Sequence, residues 1–302
     1  MTGARAAPTR WADADVVTVV VLVVLAALAN ACALVLLRKA VLGEPAAPSF
    51  SLSQLWSLLH RPIWAAGMAT IFIGFGLQAI ALSIGAVSAV QLIITLELPF
   101  TLILGSFVLG GSLRVREWTA IATMTVGVVL LLYTLQPQGG DPYSTGLTVW
   151  ILAAVLTLAV IAGLVLLGRR RNGAAKAALI GVATGMASGL IAVLTNAVLT
   201  TAASGGIRGV FTTWWTYLLV LTVPVGFFLL QGALQAGRLV ASQPGITLAN
   251  PLLAAVWGIG IFDEYVRTGG WLIGALLGAV LIGAGAVLLA RSSLLQRLQQ
   301  PS

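Results

Sequence analysis

The chain alternates between long, almost uninterrupted apolar runs and short polar or glycine- and proline-rich connectors, and that pattern alone predicts its architecture. Nine runs are long enough to form spans: Val16 to Arg38, Ile63 to Leu82, Val87 to Leu109, Trp118 to Gln136, Gly146 to Gly168, Ala177 to Thr200, Trp214 to Leu234, Arg238 to Ile261 and Trp271 to Ala290. A bilayer-crossing helix needs about 20 apolar residues. A membrane barrel would instead alternate polar and apolar residues, and these runs are continuous. The expected fold is therefore all-α, a polytopic integral membrane protein of nine transmembrane helices. One connector has a different pattern: Leu52, Leu55, Trp56 and Leu59 recur at i, i+3, i+4 and i+7 opposite Ser51, Ser53, Gln54 and Ser57, as in an interfacial amphipathic helix.

Within this pattern one segment occurs twice. Ala81 to Pro99 (ALSIGAVSAVQLIITLELP) returns as Ala233 to Pro251 (ALQAGRLVASQPGITLANP) at a constant offset of 152, with nine of nineteen positions identical. The identities are Ala81/Ala233, Leu82/Leu234, Gly85/Gly237, Ala89/Ala241, Gln91/Gln243, Ile94/Ile246, Thr95/Thr247, Leu96/Leu248 and Pro99/Pro251. Each copy is a glycine-containing turn followed by an apolar segment interrupted by proline. The first copy begins in the second span and the second in the seventh, five crossings later, so the copies run in opposite directions. Inverted repeats of this kind are a recurring architecture of secondary transporters, with the substrate handled at the repeat interface. The chain then reads as a single membrane domain over 1–302, an inverted 4+1+4 arrangement with repeat 1 at about 16–136, a linking helix at about 146–168 and repeat 2 at about 177–290. Glycines at four-residue spacing, Gly181, Gly185 and Gly189 and again Gly274 and Gly278, predict close helix contacts.

Composition agrees: 59% of the 302 residues are hydrophobic and 8% charged, and the mean hydropathy is +1.05. The net charge of +8 does not indicate a nucleic-acid surface, because the basic residues are dispersed between apolar segments. They report orientation instead. With the N-terminus outside, the inner loops carry Arg38, Lys39, Arg61, Arg114, Arg116, Arg169, Arg170, Arg171, Lys176, Arg291, Arg297 and Arg238, against Arg5, Arg10, Arg208 and Arg267 outside. The positive-inside rule therefore predicts a multi-pass protein of the cell inner (cytoplasmic) membrane, N-terminus outside and C-terminus inside. The one cysteine, Cys32, and the one histidine, His60, exclude an intrachain disulfide and a histidine- or cysteine-rich metal site.

The segments Leu96 to Trp118 (LELPFTLILGSFVLGGSLRVREW) and Leu248 to Trp271 (LANPLLAAVWGIGIFDEYVRTGGW) resemble the half-repeats of the drug/metabolite transporter (DMT) superfamily, EamA-like. Those repeats end in a proline-centred span, a short charged turn and a glycine-containing helix. The nine-span count, and the RKA at Arg38 to Ala40, are similar to the NIPA-type branch that resembles magnesium transporters. The family's acidic residue after the proline span is matched by Glu264, whereas the first repeat has Gly110 and Gly111. The resemblance implies alternating-access transport of a small metabolite or drug-like solute, or of a divalent cation.

Glu97 is the acidic residue deep inside an expected span, ten residues from its start and twelve from its end. Acids at that depth cost about 2.5–3.5 kcal/mol on insertion scales and commonly mark substrate or proton pathways; the alternative is a neutral carboxyl bonded to a neighbouring helix. With Gln91, Thr95, Gln243, Thr247 and Asn250, Glu97 forms the set of candidate substrate- or proton-binding residues, and Pro99 and Pro251 are candidate helix-break or gating positions. The amides and hydroxyls serve equally well as interhelical glue. At about 100° per residue Gln91 and Thr95 share a face from which Glu97 points away; either Pro99 bends it round or it meets a different neighbour. Asp263 and Glu264 read as a solvated turn. No phosphate-binding G-x-x-x-x-G-K-[ST] loop is present, so a transporter of this sequence would draw on a gradient. No cofactor, metal or catalytic set is expected. A membrane enzyme or structural subunit is the reading from another class. The expected partners are the bilayer, a small-molecule or ion substrate and, compatibly, a second copy in a homodimer.

Overall fold

A computed structural model describes residues 13–42, 61–108, 113–235 and 239–291. They form ten helices: α1 (Asp13–Leu42), α2 (Pro62–Ile84), α3 (Val87–Ile94), α4 (Glu97–Val108), α5 (Val115–Leu135), α6 (Leu147–Arg169), α7 (Gly173–Thr212), α8 (Trp214–Gln235), α9 (Leu239–Gly260) and α10 (Trp271–Ala290). Among the described residues there is no strand, only an isolated bridge between Gln138 and Tyr265. Among the described residues seven spans are long and apolar enough to cross a bilayer, α3 and α4 counting together as one. The chain is thus an all-helical, multi-pass membrane protein. The expected interfacial helix at 51–60, with His60, lies outside the described residues, as do Gly110, Gly111, Gly237 and Arg238.

The helix ends follow local chemistry. Helix α5 starts three residues before the expected Trp118, because Glu117 accepts a hydrogen bond from the Arg114 N–H at 2.9 Å and satisfies one of the free donors at the helix start. Helix α7 runs past the expected Thr200 to Thr212, with a kink at Gly206, where φ is 60°, a conformation that glycine adopts without a Cβ penalty. The expected third span is divided. Pro99 has no N–H to offer the Thr95 carbonyl, so that carbonyl accepts from the Leu98 N–H at 3.4 Å, and tighter i→i+3 bonds replace the helix at Thr95 and Leu96. Its counterpart α9 contains both Pro244 and Pro251 and stays one helix.

Packing is set by small residues. Helices α7 and α9 lie parallel and make the most extensive contact of the fold. Gly181 lies against Ser242, Gly185 against Ile246 and Gly189 against Asn250, so near that a Cβ at Gly185 would stand 2.6 Å from the Ile246 carbonyl oxygen. Helices α5 and α10 meet antiparallel, with Gly127 and Gly278 backbone to backbone. Both seams fall on the glycines that the sequence marks. The central core joins Val23, Ala26 and Ala27 of α1, Ala81 and Leu82 of α2, Val90 and Ile93 of α3, and Leu190, Val193 and Leu194 of α7.

The helices run between two ends. At one, here the Gly85 end, α2 turns into α3, α5 into α6 and α9 into α10. At the other, the Arg169 end, α6 turns into α7. Among described residues, Lys39, Arg61, Arg114, Arg116, Arg169, Arg170, Arg171, Lys176 and Arg291 fall at the Arg169 end, and Arg208 and Arg267 at the Gly85 end.

Candidate functional site

Glu97 is the first residue of α4, at the break where α3 stops. Its carboxylate is half-buried and accepts a hydrogen bond of 3.4 Å from Asn30 Nδ2 of α1. The acid therefore meets a neighbour of its own, α1, and is not turned round onto the Gln91/Thr95 face. Thr101 completes the turn by donating to the Glu97 carbonyl at 2.7 Å.

The other candidate residues lie on α3 and α9, which pack against each other. Gln91 is 1% exposed, and Thr95, Gln243 and Thr247 are 7% exposed each. Thr95 is spent on the backbone, donating to the Leu92 carbonyl at 2.6 Å. Gln91 Nε2 and Asn250 Oδ1 are buried with no hydrogen-bond partner, as is Ser242 Oγ one residue before Gln243. Buried polar atoms are normally paired, so these three are open for a ligand or water. Pro99 and Pro251 are both buried; only Pro99 coincides with a break between helices. Among the described residues no three His, Cys, Asp or Glu side chains gather as a metal ion would require.

The Gly85 end holds features that sequence reasoning missed. A cavity of about 400 Å3 opens there between Val16 and Val20 of α1, Ala86 and Ala89 at the start of α3, and Gln136 and Gln138 after α5. Its lining is aliphatic apart from the two glutamines. Behind the same turn of α3 stands Glu264, which is 4% exposed and not the solvated turn residue expected. Its carboxylate accepts from the Val87 N–H at 2.6 Å and from the Ser88 hydroxyl, across 177 and 176 residues of chain. Burial pushes the Glu264 carboxyl up to about 7, against the lowering pull of the bonds from Ser88 and Val87. Its neighbour Asp263 is exposed, as expected.

Beside it, Trp150 of α6 is the hub of an aromatic cluster, with ring centroids at 4.9 Å from Trp257, 5.3 Å from Trp214, 5.6 Å from Trp215 and 5.6 Å from Phe262. Three of the four indole N–H groups are fixed individually: Trp150 donates to the Pro142 carbonyl at 2.9 Å, Trp215 to Thr201 at 3.0 Å and Trp257 to Thr157 at 3.1 Å, while Trp214 Nε1 is buried with no hydrogen-bond partner. The Trp215 bond ties α8 to α7, the Trp257 bond ties α9 to α6, and the Trp150 bond holds α6 to the connection that precedes it. Trp214 and Trp215 are adjacent in the sequence; the convergence of Trp150, Trp257 and Phe262 on them is tertiary, with no local pattern to reveal it.

No family model matches the chain, and no solved structure matches it. A protein of Corynebacterium glutamicum described as uncharacterized is 33% identical to it over 256 residues, which is 83% of this chain and 88% of the relative. The chain belongs to the family that includes this corynebacterial protein.

Proposed function

We propose that the protein is a secondary transporter that moves a small metabolite or drug-like solute across the cytoplasmic membrane by alternating access. Two inverted four-helix repeats joined by α6 form the transport unit of this reading, α8 and α9 bring the spans to nine, and the DMT superfamily, EamA-like, is the wider relationship. The observation that carries it is Glu97, an acid at a helix break in the middle of an apolar segment, held by Asn30. Acids in such places commonly carry protons or substrate, and discontinuous helices commonly frame transporter sites.

Helix directions support the repeat. The pairs α1/α2 and α7/α8 are both antiparallel, while α1/α4 and α7/α9 are both parallel. Yet α1 starts at the Gly85 end and α7 at the Arg169 end. Four of the identical pairs are buried in both copies, Ala81 and Ala233, Gln91 and Gln243, Thr95 and Thr247, and Pro99 and Pro251, whereas Ile94 is buried and Ile246 only half-buried. The basic residues at the Arg169 end support placing that end in the cytoplasm, with the N-terminus outside.

A divalent cation would call for several oxygen ligands, usually with more than one carboxylate. One carboxylate beside an amide favours an organic solute instead. The test is a solute screen in proteoliposomes carrying an internal pH-sensitive dye. A transported solute produces a proton flux that protein-free liposomes lack; magnesium-driven flux alone would favour the cation reading, and no flux from any solute class would favour a structural subunit.

A further inference from the structure

The Gly85 end contains a contact that joins the two halves of the chain through one titratable group. Helix α3 begins at Val87 directly after the turn at Gly85 and Ala86, so its first N–H groups have no intrahelical acceptor. No residue of its own turn caps it: Ala86 precedes the helix and offers no side-chain oxygen. The acceptor comes from the far half of the molecule, where Glu264 in the α9–α10 turn reaches the Val87 N–H and the Ser88 hydroxyl. The carboxylate is also enclosed on two other sides, since a Cβ added at Gly258 or Gly140 would run into it.

The charged and titratable groups around this contact are few. Helix α3 and the described residues of α9 contribute none. The α5–α6 connection contributes Asp141 and Tyr143, the α9–α10 turn Asp263, Tyr265 and Arg267, and the last turn of α7 Arg208. The partners that the structure gives the Glu264 carboxylate are neutral donors. Loss of water favours the neutral carboxyl, the donors from Val87 and Ser88 favour the carboxylate, and the balance of the two decides which form the site holds.

The same turn of α3 forms one wall of the 400 Å3 cavity through Ala86 and Ala89. Anything that frees Val87 and Ser88 therefore frees that wall. We propose that Glu264 is a proton-binding latch: protonated, it fastens the α9–α10 turn to the first turn of α3 and closes the Gly85 end, and ionised, it leaves for water and lets that turn open. This rests on the transport reading, in which the two ends of the bundle open in turn, and it assigns a gate distinct from Glu97.

The sign follows from linkage. Burial outweighs the hydrogen bonds and raises the latched carboxyl to about 7, whereas a freed, solvated glutamate titrates near 4.3. The proton thus favours the latched form, and the latch weakens as pH rises from about 4.3 to about 7 and changes little above that.

Hydrogen exchange of the full-length protein in nanodiscs tests this, read as the protection factor of the peptide covering residues 85–92 after correction for intrinsic exchange. In the wild type, protection is expected to fall by at least about tenfold between pH 5.5 and 8.5, most of it below pH 7, and to level off above 7. Glu264→Gln, a neutral isostere, is expected to stay protected throughout. Ser88→Ala removes a donor that favours the charge and is expected to move the levelling-off to higher pH. Protection in the wild type that is flat or rises with pH overturns the latch, as does Glu264→Gln following the wild-type curve or Ser88→Ala leaving the levelling-off pH unmoved. The readout does not depend on flux, so a pH-dependent latch without transport sinks only the transport reading, and transport with flat protection sinks only the latch.

Discussion

Replacing Gly185 by alanine should destabilise the protein, whereas the same change at Gly163 should stabilise it. Both glycines are inside helices, α7 and α6, so alanine gains about 1 kcal/mol of helix propensity at either site. They differ in what the new methyl meets. At Gly163 nothing lies within 4 Å. At Gly185 the methyl would stand 2.6 Å from the Ile246 carbonyl oxygen and 2.8 Å from the Ala249 Cβ. Ordinary contact is about 3.5 Å, so the α7–α9 seam would have to open by about 0.9 Å, and the Gly181 and Gly189 contacts would open with it. Overpacking on that scale costs about 1–3 kcal/mol. The propensity gain cancels between the two variants, leaving a predicted gap of about 1–3 kcal/mol in favour of Gly163→Ala. Reversible unfolding in mixed detergent micelles, followed by tryptophan fluorescence, measures it. Equal effects of the two substitutions, or a more stable Gly185→Ala, would refute the account of this seam.

Trp257→Phe and Thr157→Val should each cost about 1 kcal/mol by breaking the 3.1 Å bond between α9 and α6, and the double variant should cost less than the sum, in the same unfolding assay. Glu264 makes stability pH-dependent. Its folded value is raised to about 7 from 4.5, so its contribution is fully present below about pH 4.5 and is lost as pH rises through 7. Unfolding free energies measured between pH 5 and 8 should therefore fall with pH in the wild type, and fall less in Glu264→Gln.

Much of the fold is legible in the sequence because a bilayer leaves few choices. The last span, Trp271 to Ala290, coincides with α10, and the other spans match their helices to within a few residues except α7, which extends to Thr212. The glycine seams were legible too, since four-residue spacing on a helix makes a flat face. The break at Thr95 and Leu96 was visible only as Pro99, and its position follows from the carbonyl that proline leaves without a donor. The candidate site was less legible. Helical angles separate Glu97 from Gln91 and Thr95, but finding Asn30 opposite it required the packing of α1 on α4. Glu264 looks like a turn residue because its partners, Val87 and Ser88, are more than 170 residues away. Only the resemblance singled it out. The Trp150 cluster has the same cause: its members come from α6, α8, α9 and the turn after α9.

The central claim is that Glu97 serves transport and is not merely structural. Uptake of a solute identified in the proteoliposome screen should be compared between wild type and Glu97→Gln, with and without an imposed pH gradient, after equal folding has been verified by unfolding midpoint. The account predicts that gradient-driven uptake falls to the level of protein-free liposomes in Glu97→Gln while the fold is retained. Undiminished proton-driven uptake in that variant would contradict it.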